Sequence, residues 1–182
     1  MNTDRRTQYT RAVLQKSLLE LLKERPIERI TVKEICEKAD INRSTFYVHY
    51  ASPMDLLASS KTQLYEKIKE EKVSCSDMYE TTVSLCGALQ KHRDLIALIC
   101  RTGKGVKDFL PIMELWKDDF LLSMEASGVP RDRLEMAFLF VACGTSAVVV
   151  SWVLDAFPNT AEEIAEEVCR LINGGLGAYF AK

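Results

Sequence analysis

The sequence has few of the features that mark secreted, fibrous or low-complexity proteins. Its 182 residues include only five prolines and eight glycines, which excludes collagen-like chains. The six cysteines never form a C-x-x-C pair and mostly occupy apolar helical stretches, so they are interpreted as buried free thiols. The first residues, MNTDRRTQYTR, are charged and lack the apolar core of a signal peptide. These absences favour a cytoplasmic globular protein.

Catalytic and metal-binding motifs are lacking as well. The segment GTS at 144–146 misses the second glycine of a nucleophile elbow, and GKG at 103–105 does not have P-loop spacing. The two histidines, His49 and His92, are far apart and have no metal-ligand spacing with cysteine. We therefore expect no enzymatic activity, no metal and no cofactor.

Charge of one sign does not dominate the whole chain, since the formal net charge is −2. Residues 1–50 nevertheless contain ten Lys and Arg against seven Asp and Glu, whereas the remainder contains 14 against 19. If the chain binds an anionic polymer, the N-terminal end is therefore where the contact is expected.

One uncharged run, residues 136–154, approaches the length that spans a bilayer. Polar residues such as Thr145, Ser146 and Ser151 interrupt it, and no cluster of Lys and Arg flanks one side. We interpret it as a core or interface helix and expect no membrane partner.

Helical periodicity dominates the chain, and the alternation typical of strands is nearly absent. The pattern predicts an all-α fold of about nine helices, with Pro26 ending the first and a capping box at Thr31–Glu34 opening the second. The predicted helices cover about 7–25, a short stretch after Thr31, 43–50, 53–72, 77–91, 93–101, 109–127, 131–156, and 161–173 or longer. The segment 73–77 is the predicted joint between an N-terminal domain, 1–55 with a connecting helix to about 72, and a C-terminal domain, 73–182.

Residues 31–50, TVKEICEKADINRSTFYVHY, predict a helix, a three-residue turn and a second helix. At about 100° per residue, Phe46 and Tyr50 share one face and are expected to pack inward. The opposite arc presents hydroxyls, an aromatic ring and, at its start, Arg43. Such a face suits the major groove of DNA, where donors meet base edges and phosphates. Spacing alone also allows an ordinary helical hairpin with a solvated outer face.

The same stretch resembles the DNA-binding domain of TetR-family transcriptional regulators. The resemblance rests on the string T-V-x-x-I-x-x-x-A-x-I-N-R-S-T-F-Y-x-H-Y-x-S, which is followed by Leu56-Leu57. Residues 77–182 show the weaker likeness expected of the family's variable half, including Trp152 and the following stretch 162–165. The resemblance implies a homodimeric repressor of about nine helices that binds double-stranded DNA, with a small-molecule pocket in its C-terminal half.

Carried over by position, the resemblance implies a DNA-binding set made of Thr31, Lys33, Asn42, Arg43, Ser44, Thr45, Tyr47 and His49. Lys33 and residues 43–45 take positions that reach bases or nearby phosphates. Tyr47, His49 and Thr31 take positions that contact the phosphate backbone.

Two residues depart from the family pattern. The usual turn glycine is Asp40, which tolerates a left-handed conformation less well than glycine does. The phosphate-contacting lysine at the start of the fourth helix is Pro53, so that contact is missing, and Arg5, Arg6 or Arg11 is the candidate replacement.

In the C-terminal half, four bulky residues share one helical face and are either core or the lining of an effector cavity: Phe109, Met113, Trp116 and Phe120. Surplus apolar surface, with small residues that permit close approach, predicts a homodimer interface. Its candidate residues are Ala142, Gly144, Ala147, Ile164, Val168, Leu171 and Ile172.

The prediction that follows is a cytoplasmic regulator that represses transcription from a palindromic operator and answers to a small molecule or a partner protein. An interaction module that does not bind DNA is the alternative supported by Pro53 and the acidic net charge. A small helical enzyme would need a catalytic constellation that the sequence does not show.

Overall fold

The computed structural model describes residues 2–72, 77–102, 106–124, 128–154 and 158–180. These ranges form ten α-helices and one 3-10 helix and contain no strand, which confirms the all-α prediction. The 3-10 helix covers Ile27–Arg29, and the α-helices are α1 (Asn2–Leu22), α2 (Val32–Ala39), α3 (Arg43–His49), α4 (Pro53–Glu71), α5 (Met78–Lys91), α6 (Arg93–Thr102), α7 (Val106–Glu114), α8 (Lys117–Met124), α9 (Arg131–Val153) and α10 (Ala161–Phe180).

The predicted helix at 109–127 is in fact two helices, α7 and α8. The chain tightens between them, because the amides of Leu115 and Trp116 bond to carbonyls only three residues back, at 3.1 and 3.0 Å. Trp116, in this turn, is 3% exposed. The helix therefore breaks between Glu114 and Lys117, where the Trp116 indole is buried, and helical periodicity did not predict this break.

The first helix also differs from its predicted bounds. α1 begins at Asn2 rather than near Thr7, and it ends at Leu22 rather than Arg25. The amides of Lys23 and Glu24 bond to carbonyls three residues back, so the helix tightens into a turn before Pro26.

Two compact units make up the chain, residues 1–64 and 65–182, so their division falls inside α4. The sequence instead placed the joint at 73–77, of which residues 73–76 lie outside the described ranges. In the first unit, α1 buries Leu14 and Leu18 completely, and a side-chain hydrogen bond of 2.8 Å joins Gln15 to Gln63. α2 packs against both α1 and α3.

In the second unit, α10 packs against α5, and α9 packs against α6, α7, α8 and α10. Trp152 of α9 is fully buried, and its indole Nε1 donates to the carbonyl of Asn159 at 2.8 Å. Arg93 lies over the same ring at 5.3 Å and donates to the Trp152 carbonyl at 2.9 Å. By length and composition α9 could cross a membrane, but 56% of its most apolar window is buried inside the protein.

The sequence predicted that the thiols are buried, but the structure shows that one of them is exposed. Cys36, Cys86, Cys100 and Cys169 are buried, but Cys143 is exposed on α9. Cys75 lies outside the described ranges. Burial raises the pKa of the Cys86 thiol to about 12, so this thiol stays protonated and unreactive at neutral pH. The misassignment arose because residues 136–153 of α9 contain no charged side chain that would mark the outward face around Cys143.

Polar contacts hold the C-terminal half of α4 within the second unit. The Tyr65 hydroxyl donates to the carbonyl of Asp108 at 2.6 Å. Just after α4, the Lys72 ammonium lies 2.5 Å from Asp119 of α8, and these two side chains are only 17% and 10% exposed. A pair so deeply buried stabilises only while both charges are present, because either charge alone would be left uncompensated.

We expect Lys72→Met to lower the free energy of unfolding of the second unit by about 3 kcal/mol, since it strands the Asp119 carboxylate. The double variant Lys72→Met with Asp119→Leu should recover most of that loss, because no charge stays buried. Both tryptophans lie in this unit, so urea unfolding followed by their fluorescence reports on it directly. Equal destabilisation by the single and double variants would contradict the paired-charge account.

Candidate functional site

The start of α2 is organised by the capping box that the sequence predicted. The amide of Glu34 donates to Thr31 Oγ1 at 3.3 Å, while the Thr31 amide and hydroxyl donate to Glu34 Oε2 at 2.9 and 2.8 Å. Arg25 adds an ion pair to the same carboxylate at 2.9 Å. The hydrogen bonds from Thr31, and then the Arg25 charge, hold the pKa of Glu34 below its usual value. Both Thr31 and Glu34 are therefore committed to helix structure.

Asp40 closes α2 in a left-handed conformation, with φ of 53° and ψ of 46°. It is the only non-glycine residue with positive φ in the described chain. The amide of Ile41 then bonds to the carbonyl of Cys36 at 3.0 Å, which completes the helix end. The turn geometry is thus the one that glycine adopts most readily, reached here by a residue whose short polar side chain tolerates it.

Asn42 begins α3 as its N-cap, and its Oδ1 accepts from the Ser44 amide at 3.0 Å and the Ser44 hydroxyl at 3.1 Å. The next helix, α4, starts in a similar way. Ser52 Oγ accepts from the Asp55 amide at 3.1 Å, and Pro53 is the first helical residue. Pro53 therefore serves the helix start and offers no charge at that position.

α3 buries one side and exposes the other, as its periodicity predicted. Phe46 is fully buried and Tyr50 is 5% exposed, whereas Tyr47 and Val48 are 59% and 77% exposed. The rings of Phe46 and Tyr47 meet edge to face, with centroids 5.6 Å apart. Of the remaining predicted DNA-binding residues on α3, Arg43 and Ser44 are exposed, and Thr45 and His49 are partly buried.

Residues from α2, the turn and the start of α3 line one open depression on the first unit: Lys33, Cys36, Glu37, Asp40, Ile41, Asn42 and Arg43. Lys33 and Glu37 form an exposed ion pair across one helical turn, at 3.7 Å. Burial raises the pKa of the Cys36 thiol, with the Arg43 charge acting against this shift and Glu37 reinforcing it. The depression therefore combines two cations and two carboxylates around the helix–turn–helix.

The first turns of α1 carry three further cations. Arg5, Arg6 and Arg11 are exposed, and the helix that holds them begins at Asn2. Because they sit on a regular helix, their spacing is set by the helical turn rather than by a loose arm.

The four bulky residues predicted as core or effector lining are all buried. Phe109 and Met113 lie on α7, Phe120 lies on α8, and Trp116 lies between the two helices. All except Phe109 line a cavity with space of about 30 Å³, which accommodates a water molecule and no larger ligand. The Trp116 indole Nε1 has no hydrogen-bond partner in the described residues.

The predicted interface residues divide into two groups. Gly144, Ala147 and Leu171 are exposed. The other four, Ala142, Ile164, Val168 and Ile172, are at most 7% exposed and pack inside the chain's own core. Val168 and Ile172 still line an apolar groove beside Gly144 and Leu171.

The outer face of α9 and α10 contains large apolar side chains that sequence reasoning missed. Met136, Leu139 and Phe140 are 65%, 59% and 70% exposed, and Tyr179 is 39% exposed. A methyl group placed on Gly175 would lie 3.9 Å from the Phe140 ring. The uniform apolar character of α9 gave no periodicity from which to separate this face from the buried one. We call the exposed residues of this face, including Gly144, Ala147 and Leu171, the α9–α10 face.

In the part of the chain that the structure describes, no group of three or more His, Cys, Asp or Glu residues could hold a metal ion.

Residues 16–68 match the bacterial regulatory proteins of the tetR family. The uncharacterized HTH-type transcriptional regulator YxbF of Bacillus subtilis (strain 168) is 22% identical over 171 residues, which cover 89% of this chain and 44% of that protein. The chain thus spans less than half the length of this curated relative.

Solved structures share the fold across nearly the whole chain. A TetR transcriptional regulator from Streptococcus agalactiae 2603V has a TM-score of 0.69 at 20% identity, covering 93% of this chain and 97% of its own. The dihydroxyacetone kinase operon activator DhaS has a TM-score of 0.68 at 16% identity, with the same coverage of 93% and 97%. FadR from Bacillus subtilis, solved in complex with stearoyl-CoA, has a TM-score of 0.63 at 15% identity, covering 88% and 96%.

Asp40 is the point where the site's backbone geometry can be tested. We expect Asp40→Gly to stabilise the first unit by up to about 1 kcal/mol, because glycine adopts a positive φ without steric cost. Asp40→Ala should destabilise it, since alanine keeps the Cβ and loses the polar side chain. Hydrogen exchange at the amides of α2 and α3 measures the effect within this unit. Equal protection from hydrogen exchange in the Asp40→Gly and Asp40→Ala variants would contradict the predicted dependence on positive φ at this position.

Proposed function

We propose that the chain is a transcriptional regulator of the TetR family, whose model matches residues 16–68, and that it binds a palindromic operator as a homodimer and represses transcription from it. The observation that carries the proposal is the geometry of α3. This helix buries Phe46 and presents Arg43 and Tyr47 to solvent beside Lys33 of α2. A short helix that is anchored on one face and polar on the other suits insertion into the major groove.

The contacts divide into two kinds by side-chain reach and charge. Arg43 and Lys33 are long donors that can reach guanine O6 and N7, so they are proposed to read bases. Tyr47 and His49 are proposed to hold phosphates and set the register, whereas Thr31, whose hydroxyl already donates to Glu34, is proposed to hold the start of α2 in place. Asn42 and Ser44 already satisfy each other at the start of α3, so their proposed role is to present the neighbouring side chains.

A homodimer is proposed because the α9–α10 face leaves large apolar side chains in solvent. Phe140 and Leu171 are 70% and 65% exposed, and an apolar groove runs between them over Gly144 and Gly175. Monomeric proteins rarely expose a contiguous apolar patch of this kind. A twofold dimer through this face would cover it and carry two reading heads for the two halves of a palindrome.

The effector is proposed to be a small molecule or a partner protein that favours one state of the second unit. The buried cavity near Trp116 is too small for an effector in the conformation described, so a ligand there requires the surrounding helices to move. FadR was solved with stearoyl-CoA, and a ligand of comparable apolar character is one candidate for this chain. Regulation also requires that the effector bind the two states with different affinity.

A reporter assay distinguishes repression from activation. DhaS is an activator by name, whereas repression is the role proposed for this chain. A reporter placed behind the selected operator should be transcribed more strongly in cells that lack the protein. Reduced transcription in those cells would show that the protein is an activator and that the proposed repression is wrong. A cytoplasmic location is part of the same proposal, since the operator lies there in bacteria.

Sequencing of duplexes captured from a random pool tests DNA binding and identifies the operator. We expect Arg43→Ala to weaken operator binding and to relax sequence preference at one position in each half-site, at a cost of about 1–3 kcal/mol. Tyr47→Phe should weaken binding to operator and random duplexes by the same factor and leave the salt dependence nearly unchanged, because it removes no charge. Anisotropy titrations of both duplexes across a salt series measure these effects.

An equal loss in both duplexes for Arg43→Ala, together with altered preference for Tyr47→Phe, would show that this division of roles is wrong. If the wild-type protein enriches no duplex at all, the alternative of an interaction module without DNA binding is favoured.

We expect Phe140→Glu to convert a dimer into a monomer at micromolar concentration, because it places a charge inside the proposed apolar interface. Leu122→Glu is the matched control, since Leu122 is 58% exposed on α8, outside the α9–α10 face. Sedimentation equilibrium measures the mass of each variant. A monomeric wild type, or a Phe140→Glu variant that stays dimeric, would contradict the interface.

A further inference from the structure

Glu37 lies on the proposed DNA-contacting surface but has no role in the division of contacts given above. It lines the same depression as Lys33, Asn42 and Arg43, and it is an exposed residue of α2. Glu37 follows Cys36 in α2, and both residues line this depression together with Arg43. A carboxylate therefore lies on the same surface as the two cations proposed to read bases.

The two carboxylates on α2 are engaged very differently. Glu34 accepts two hydrogen bonds from Thr31 and an ion pair from Arg25, so it is held in the helix cap. Among the residues that the structure describes, Glu37 has one ion pair, to Lys33 at 3.7 Å, and the two side chains are 63% and 61% exposed. A lysine that precedes glutamate by four residues is the weaker order of such a pair, and an exposed pair contributes little. Glu37 is therefore available to a ligand.

A free carboxylate on this surface has a definite consequence when DNA approaches. It is repelled by every phosphate, so it lowers affinity for duplexes in general. The major groove also contains amino donors, and the cytosine N4 amino group is the one that carboxylates characteristically accept from. On binding DNA, the Lys33 ammonium would leave Glu37 and bind a guanine acceptor or a phosphate oxygen. The Glu37 carboxylate would then need a new hydrogen-bond donor.

We propose that Glu37 is a specificity-determining residue whose carboxylate accepts a hydrogen bond from a cytosine amino group in each operator half-site. The inference rests on the proposed function, since it requires that this surface enters the major groove. Sites with cytosine at that position satisfy the carboxylate, whereas other sites leave it facing phosphates without a donor. The Glu37 carboxylate thus lowers affinity for random duplexes and increases the preference for operator sites with cytosine at this position.

Glu37→Gln is the informative substitution, because it keeps the shape of the side chain and removes its charge. Glutamine pairs with adenine N6 and N7, so the preference at one position of each half-site should move from cytosine toward adenine or disappear. Affinity for random duplexes should rise, and the ratio of operator to random affinity should fall by about fivefold or more. Repeated selection from the random pool and anisotropy titrations measure the two effects.

Glu28→Gln is the matched control for loss of one negative charge from the same unit. Glu28 is exposed on the 3-10 helix and does not line the depression. This variant should leave the selected sequence unchanged. Circular dichroism of both variants should show unaltered helix content, since neither side chain is buried.

A second experiment separates a direct base contact from an effect through Lys33. The shift in preference caused by Glu37→Gln should persist when Lys33 is replaced by methionine. If it vanishes in that background, Glu37 acts only by positioning Lys33, and the proposed cytosine contact is wrong.

The remaining outcomes distinguish this inference from the function on which it rests. A wild-type protein that selects an operator, with an identical selected sequence for Glu37→Gln, overturns the cytosine contact and leaves the proposed function standing. A wild-type protein that enriches no duplex overturns both.

Discussion

Burial of Phe46 is the interaction on which the orientation of α3, and so the proposed DNA-contacting surface, depends. α3 has only seven residues, and an isolated helix of that length is not stable in water. Its conformation is held instead by a fully buried phenyl ring, by Tyr50 at its C-terminal end, and by the Asn42 cap at its start. Everything that α3 presents to solvent, Arg43 and Tyr47 above all, is oriented by contacts on its opposite face. The proposed recognition is thus set by the packing of this helix.

Polar side chains around the helix–turn–helix divide into those that build it and those that stay available. Thr31 and Glu34 satisfy each other at the start of α2, and Ser44 bonds to the α3 cap. Lys33, Glu37 and Arg43 do not take part in these caps and line a common surface. The groups left over by folding are therefore charged and of both signs. This mixture is suited to discrimination between sequences more than to tight general attraction, in keeping with a chain whose net charge is −2.

In the second unit, the side chains that hold the helices together make contacts between distant parts of the chain. The hydrogen bond from Arg93 to the Trp152 carbonyl and the ion pair of Lys72 with Asp119 connect segments that are distant in sequence. Along α9, Phe140 is as apolar as the buried Phe138 but is 70% exposed, so one helix contributes to both the core and an exposed apolar face. Solved structures with this fold share at most 20% identity in the comparisons above, which shows how many sequences satisfy the same packing.

The sequence by itself determined the helices and turns of the first unit, because their signals are local. The capping box at Thr31 and the Asn42 cap both rely on hydrogen bonds within a few residues, and the buried side of α3 follows from helical periodicity. Tertiary packing alone decided the break before α8 and the exposure of Cys143. It also decided which apolar residues of α9 face outward. Such choices depend on contacts between helices far apart in the chain, and a helix that is apolar on every side contains no pattern that distinguishes its core from its surface.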